Sequence, residues 1–242
     1  MDYGYKTDTG MIREINEDRY LYVNEEEYTL LAVADGMGGH NAGDVASSML
    51  IDEILKYNLK CGFLNDTEIN IEKCIKQANE KIYKHAIEKP GCHGMGTTVT
   101  MAIIKGDKVF FANVGDSRGY VIKDSLEKIT IDHSFVEELV MQGRITEEEA
   151  KNHPNRNHIT RAIGTNSSVH VDIFTVDKAK NDIILLCTDG FINMLDEKEI
   201  VDEIKSSINL QEAVDKLVVK ANDNGGCDNI TVVCYSDKGG DK

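Results

Sequence analysis

Residues 30–40 read Leu30-Leu31-Ala32-Val33-Ala34-Asp35-Gly36-Met37-Gly38-Gly39-His40. A short apolar run bounded by glycines predicts a buried strand over Leu30–Ala34. The strand delivers one carboxylate, Asp35, to a rim where the following backbone carries almost no side chains, and glycine lets a ligand approach the main chain closely. Asp35 beside the Gly36 carbonyl is a pair of hard oxygen donors of the kind that Mg²⁺ or Mn²⁺ takes. Two other readings fit less well. Asp-Gly as a tight hairpin needs a second strand, whereas a helical pattern begins near Ala42. A dinucleotide fingerprint fails because Asn41 stands where the third glycine belongs and Asp35 puts negative charge at the phosphate end.

The chain around this stretch has 242 residues, 41% of them apolar, with only 2 prolines and no Pro/Ser-rich linker. That is enough for one large domain or two small ones, and for a sizeable core. The formal net charge of −15 argues against a nucleic-acid partner, which needs clustered Lys and Arg. No apolar run is long enough to insert into a membrane, and the start, MDYGYKTDTGMIREINED, is too polar for a secretory signal. The six cysteines are scattered, with no C-x-x-C pair, and read as reduced thiols of a cytoplasmic protein. No zinc spacing occurs among the seven histidines.

Outward from the opening stretch, Asp2–Thr9, alternating Tyr20 and Tyr22, and Tyr28–Ala34 read as strands. Arg13-x-x-Asn16-Glu17-Asp18 lies between the first two. It reads either as a solvated ion-pair face or as a phosphate clamp built on the guanidinium fork. Ala42–Leu59 and Glu68–Glu88 carry apolar stripes at helical spacing, which predict core-facing helices. Thr97–Lys105 and Lys108–Val114 form a hairpin pattern about Gly106-Asp107, and the second of these runs ends in Gly115-Asp116-Ser117-Arg118. Tyr120–Ile122 and Leu126–Ile131 continue as short strands. Residues from Ser134 to about Ser168 leave the sheet pattern as a flap, with a helix over Phe135–Gln142 and a capping box at Thr146–Glu149. Val169–Val176 and Ile183–Cys187 resume the sheet, the latter ending in Thr188-Asp189-Gly190. Two capped helices then lead to Gly225-Gly226-Cys227-Asp228-Asn229 and a last strand, Ile230–Tyr235.

Asp35, Asp116 and Asp189 thus each follow a strand, and Asp228 precedes one. Four aspartates at strand ends beside glycine or asparagine point to a binuclear hard-cation site, since carboxylates brought that close repel until cations relieve them. The ordered set Arg13-x-x-Asn16-Glu17-Asp18, Asp35-Gly36-Met37-Gly38-Gly39-His40, Gly96-Thr97-Thr98, Gly115-Asp116-Ser117-Arg118, Asp132-His133-Ser134, Thr188-Asp189-Gly190 and Asp228-Asn229 resembles the metal-dependent protein phosphatases of type 2C, the PPM family, in their bacterial Ser/Thr form. The resemblance runs from about Asp2 to Tyr235.

The resemblance implies an α+β fold of two antiparallel β-sheets in a central sandwich flanked by antiparallel helix pairs. It implies a single catalytic domain over residues 1–236, a flap at about 134–168, and a polar tail at 237–242. It implies hydrolysis of phosphoserine and phosphothreonine in proteins by a metal-activated hydroxide, opposing a membrane Ser/Thr kinase, in a cytoplasmic monomer. Its alternatives are a phosphatase regulating a phosphoserine switch protein and an inactive phosphoprotein-binding relative. By the same resemblance Asp35, the Gly36 carbonyl, Asp189 and Asp228 hold two tight Mn²⁺ or Mg²⁺ ions. Glu17 and Asp18 hold water on them, Arg13 binds the substrate phosphate, and Asp116 with Asp189 makes a weak third metal site. Met37 stands where some members carry a histidine acid, which leaves His40, His133 or a metal-bound water as proton donor.

Overall fold

Leu30–Ala34 are buried without exception because their strand is covered on both faces. Leu30, Ala32 and Ala34 pack toward helices, while Leu31 and Val33 pack toward a second sheet. A strand with two dry faces needs a continuous apolar run, whereas one with a wet face would alternate. The structure is a computed structural model and describes residues 1–38 and 42–237. His40 and all of the polar tail but Asp237 lie outside the described residues.

One antiparallel sheet has the order β1 (Asp2–Asp8), β12 (Ile230–Ser236), β11 (Ile183–Cys187), β8 (Arg118–Ile122), β9 (Leu126–Lys128). The other has the order β10 (Asp172–Asp177), β7 (Lys108–Val114), β6 (Val99–Lys105), β3 (Thr29–Ala34), β2 (Arg19–Asn24). Their facing sides enclose Leu31, Val33, Phe111, Ile184, Leu186 and Val233 among others. Helices α1 (Ala42–Lys60) and α2 (Thr67–Glu88) cover the outside of the β3 sheet. Helices α5 (Asp189–Ile192), α6 (Glu197–Ser206) and α7 (Leu210–Asp223) cover the outside of the β11 sheet. The result is an α+β fold of four layers, helix, sheet, sheet, helix. At one edge the layers are tied by stacked tyrosines, Tyr3 on Tyr22 at 4.6 Å and Tyr5 on Tyr20 at 4.9 Å between ring centroids.

Residues 134–168 stand off the sandwich with α3 (Phe135–Met141) and α4 (Glu147–Lys151). Ser134 caps α3 through the Glu137 amide, and Thr146 with Glu149 forms a capping box on α4. Three details differ from the sequence pattern. Gly36–Met37 form a two-residue strand, β4, paired with β5 (Gly96–Thr97), where a plain loop is expected. Asp189 opens a short helix, α5, that the sequence pattern does not show. The strand after Leu126 stops at Lys128 because the amides of both Ile129 and Thr130 converge on the Gly119 carbonyl, which ends the ladder.

Leu186 sits fully buried between the sheets. Leu186→Ala is expected to lose about 2–5 kcal/mol in urea unfolding, the ordinary cost of a core cavity. Tyr3→Ala, at a site 45% exposed, is expected to lose much less.

Candidate active site

The two sheets end together at one rim. Asp35 follows β3, Asp116 follows β7 after one glycine, Asp189 follows β11, and Asp228 lies two residues before β12. Asp18 immediately precedes β2. The two β-layers therefore bring to one place carboxylates that are far apart in the chain. Asp18 is buried and the other four are half-buried.

Their protonation equilibria report the crowding. Burial, then Asp18, Asp189, Asp116 and Asp228, hold the Asp35 carboxyl well above the usual carboxylate range. Burial pushes Asp18 up to about 7, with Asp189 and Asp228 adding to the effect and the Thr231 and Thr188 hydroxyls opposing it. Burial, then Asp189 and Asp132, raise Asp116 to about 7. Burial, then Asp228, raise Asp189 to about 6. Glu17 is also raised, chiefly by burial.

No three His, Cys, Asp or Glu side chains among the described residues enclose an ion as they stand. Burial first, and then the neighbouring acids, disfavour the charged forms of these carboxyls, which is the state that a cation favours. The donor set nevertheless fits a hard divalent cation. It is made of oxygens alone, and Asp18 Oδ1 and Asp189 Oδ1 are buried oxygens with no hydrogen-bond partner.

The backbone under these groups is clamped. The Asp35 amide donates to Thr98 Oγ1 (2.9 Å), while its carbonyl accepts from the Thr98 amide (2.8 Å) and Thr97 Oγ1 (2.9 Å). Gly36 donates to the Glu17 carbonyl (3.2 Å), and a β-carbon at Gly36 would collide with the Gly43 and Glu17 carbonyls. Glu17 Oε1 in turn accepts from the Gly43 amide at the start of α1 (3.1 Å), where a carboxylate is favoured by the helix N-terminus. Asn229 Oδ1 accepts from the Glu17 amide, and its Nδ2 donates to the Thr9 and Ile15 carbonyls, all at 2.9 Å. Asn229 thereby folds loop 9–17 against Asp228. Arg13 NH2 donates to Asp228 Oδ2 (2.8 Å), and Asp228 raises the pKa of the guanidinium, with Asp35 and Glu17 adding to it.

The Protein phosphatase 2C family matches residues 13–222. The chain belongs to the protein phosphatase 2C family. It is 42% identical over 234 residues to the serine/threonine phosphatase stp of Listeria innocua, covering 95% of this chain and 93% of that one. It is 36% identical over 241 residues to the protein phosphatase PhpP of Streptococcus pneumoniae, covering 98% and 97%. Its fold matches that of the serine/threonine phosphatase Stp1 from Staphylococcus aureus with a TM-score of 0.92 at 39% identity, covering 99% and 96% of the two chains. The catalytic domain of PstP, solved in complex with two manganese ions, matches with a TM-score of 0.85 at 33% identity, covering 97% and 96%. The protein phosphatase 2C chain described here is thus a member of a metal-dependent family.

Of the residues singled out in the sequence, Arg13, Glu17, Asp18, Asp35, Gly36, Asp116, Asp189 and Asp228 come together at the rim. His133 does not join them as a free acid. It is 4% exposed, its Nδ1 accepts from the Gly115 amide (3.0 Å), and its Nε2 faces Asp172 Oδ2 (3.0 Å). An Nδ1 that accepts leaves the proton on Nε2, where Asp172 takes it. Both ring nitrogens are thus engaged, Nδ1 with the Gly115 loop and Nε2 with Asp172 of β10, and Arg161 Nη1 stands 3.2 Å from the same Nε2.

Sequence reading gave no role to Thr97, Thr98, Arg19 or Asn229. Arg19 holds the turn below Asp18 by donating to the Asn16 and Asp18 carbonyls (2.9 and 2.7 Å). Thr97, Thr98 and Asn229 stand within the ordered motifs of the sequence, whereas the only signal for Arg19 is its place directly after Asp18. A cavity of about 720 Å³ lies elsewhere, between α2 and residues 167–169, and shares no residue with the acidic rim.

A carboxyl whose folded pKa is raised favours the folded state below its unfolded pKa, and that contribution is lost as pH rises through the folded value. For Asp18, Asp116 and Asp189 the window runs from about 4 to about 7. In excess chelator, the melting temperature of Asp18→Asn relative to wild type is expected to rise by at least about 3 °C between pH 4 and pH 8. Parallel melting curves across that range would remove the crowding argument.

Proposed function

We propose that this chain is a metal-dependent protein phosphatase that hydrolyses phosphoserine and phosphothreonine in proteins, with the acidic rim as a binuclear Mn²⁺ or Mg²⁺ centre. The observation that carries the reading is the convergence of Asp18, Asp35, Asp116, Asp189 and Asp228, with raised pKa values on Asp18, Asp35, Asp116 and Asp189 and unpartnered oxygens on Asp18 and Asp189. The named activities of the Listeria and Streptococcus relatives support the substrate class.

In this reading Asp35, the Gly36 carbonyl, Asp189 and Asp228 hold two ions, and Asp116 with Asp189 holds a weaker third. A pair of divalent cations supplies a water of lowered pKa and neutralises charge on phosphoryl oxygens. The protein residues do the positioning that phosphoryl transfer requires. Glu17 and Asp18 orient water at the rim. Arg13 gives one N–H to Asp228 and keeps the rest of its fork for substrate phosphate oxygens, so the phosphate is received beside the carboxylates rather than at random. With His133 engaged, the leaving oxygen takes its proton from water or from His40, which lies outside the described residues. The flap over residues 134–168, rooted next to Asp132 and the Gly115 loop, governs which phosphoproteins are accepted. Residues 1–236 act as one catalytic domain, a cytoplasmic monomer opposing a membrane Ser/Thr kinase. That none of the described helices is long and apolar enough to cross a membrane supports a position off the bilayer.

The test is phosphate release from a phosphothreonine peptide. Chelator is expected to abolish turnover and Mn²⁺ to restore it, with Asp189→Asn losing nearly all activity and binding Mn²⁺ more weakly by calorimetry. Full activity in excess chelator, or unchanged Mn²⁺ affinity in Asp189→Asn, would refute the assignment. Shortening residues 144–156 in the flap is expected to depress activity on phosphoproteins far more than on a small aryl phosphate. Equal losses on both would make the flap a purely structural element.

A further inference from the structure

Asn79 lies near the middle of α2, on the far side of the β3 sheet's helix layer from solvent, and is 1% exposed. A buried amide must find partners, and Asn79 finds both of them in one place. Its Oδ1 accepts from the Gly164 amide (2.8 Å), and its Nδ2 donates to the Asn166 carbonyl (3.0 Å). The C-terminal foot of the flap is therefore bonded to a helix 85 positions earlier in the chain. The fit is tight as well as polar. Gly164 has φ +86°, and a β-carbon there would collide with the side chain of Ile82, one turn along from Asn79.

The next residue back completes the connection. Ile163 and Thr97 exchange both backbone hydrogen bonds, Ile163 N to Thr97 O at 2.8 Å and Thr97 N to Ile163 O at 3.0 Å. Thr97 pairs with Gly36 in the β4–β5 ribbon, and its hydroxyl donates to the Asp35 carbonyl. Each link from Asn79 to Asp35 is a hydrogen bond between rigid elements: Asn79 to Gly164, Ile163 to Thr97, Thr97 to Asp35. Such outer partners fix the orientation of a liganding group without touching the ligand.

We infer that Asn79 is a positioning residue for the Asp35–Gly36 strand end, acting through the flap foot Ile163–Asn166. The flap is thereby divided in function. Its foot belongs to the frame of the acidic rim, and only the part beyond it is free to select substrates. The inference rests on the metal-centre reading for its effect on Mn²⁺, but not for its effect on the backbone.

The experiment uses the full chain with three readouts: amide exchange at Thr97, Thr98 and Ile163 in chelator, Mn²⁺ affinity by calorimetry, and turnover of an aryl phosphate. Asn79→Ala is expected to speed exchange at these amides and to weaken Mn²⁺ affinity by about tenfold, the lower end of what lost outer-shell partners cost. Asn79→Asp keeps the acceptor for Gly164 and is expected to recover most of both. Ile75→Val, a core truncation on the same helix that leaves the foot alone, is expected to lower the melting temperature without changing Mn²⁺ affinity. If Asn79→Ala does not fold, Asn79→Leu, which fills the space without the two bonds, takes its place. A folded variant with wild-type exchange and wild-type Mn²⁺ affinity would overturn the inference. So would weakened affinity in Ile75→Val to the same degree. Unchanged Mn²⁺ affinity in Asp35→Asn would instead mark failure of the metal-centre reading, with amide exchange still deciding the role of Asn79.

Discussion

Like charges pressed against one another at the end of a β-sandwich set the terms for the rest of this molecule. Left alone, Asp18, Asp35, Asp116, Asp189 and Asp228 would move apart or take up protons, and four of them show the second tendency in raised pKa values. They stay near one another because each stands within two residues of a strand whose side chains cannot leave the core. The layer between the sheets, with Leu31, Val33, Phe111, Ile184, Leu186 and Val233, holds β3, β7, β11 and β12 in register. Hydrophobic burial on this scale outweighs the cost of the acidic rim.

Around that rim the main chain has little freedom. Thr97 and Thr98 grip both polar groups of the Asp35 peptide, Glu17 bridges Gly36 and α1, and Asn229 pulls loop 9–17 onto Asp228. Preorganisation of this kind lets ligands bind without first ordering the groups that receive them. It also explains why glycine is required at Gly36: two carbonyls pass where a β-carbon would sit. The flap shows the opposite physics in its outer part, with short capped helices and few buried side chains, and shares the rigidity of the core only at its two ends.

Much of this was legible in the sequence. The strands β3, β7, β11 and β12 are continuous apolar runs because both faces are covered, and such runs end visibly at a glycine or a charge. The helices α1 and α2 carry clear apolar stripes, and the caps of α3, α4, α6 and α7 are spelled out by Ser134, Thr146, Asp196 and Asn209. The aspartates of the rim were identifiable because each stands next to a strand end. The two-residue strands β4 and β5 were not, since pairing that short has no periodicity to read. Nor was α5, a single turn whose first residue is itself one of the rim carboxylates.

Apolar periodicity by itself determined the main strands and helices, and the ordered motifs around Arg13, Glu17, Asp35, Asp116, Asp189 and Asp228 carried the family resemblance that implied the fold class, because those signals are local in the chain. Which atoms are spare and which are engaged was decided only by tertiary structure. His133 looked as available as any histidine until the fold placed Gly115 on one nitrogen and Asp172 on the other. Asn79 looked like one polar residue on a helix until the flap foot closed over it. A hydrogen bond between residues 85 positions apart leaves no trace in either neighbourhood, because its geometry exists only after the layers have packed.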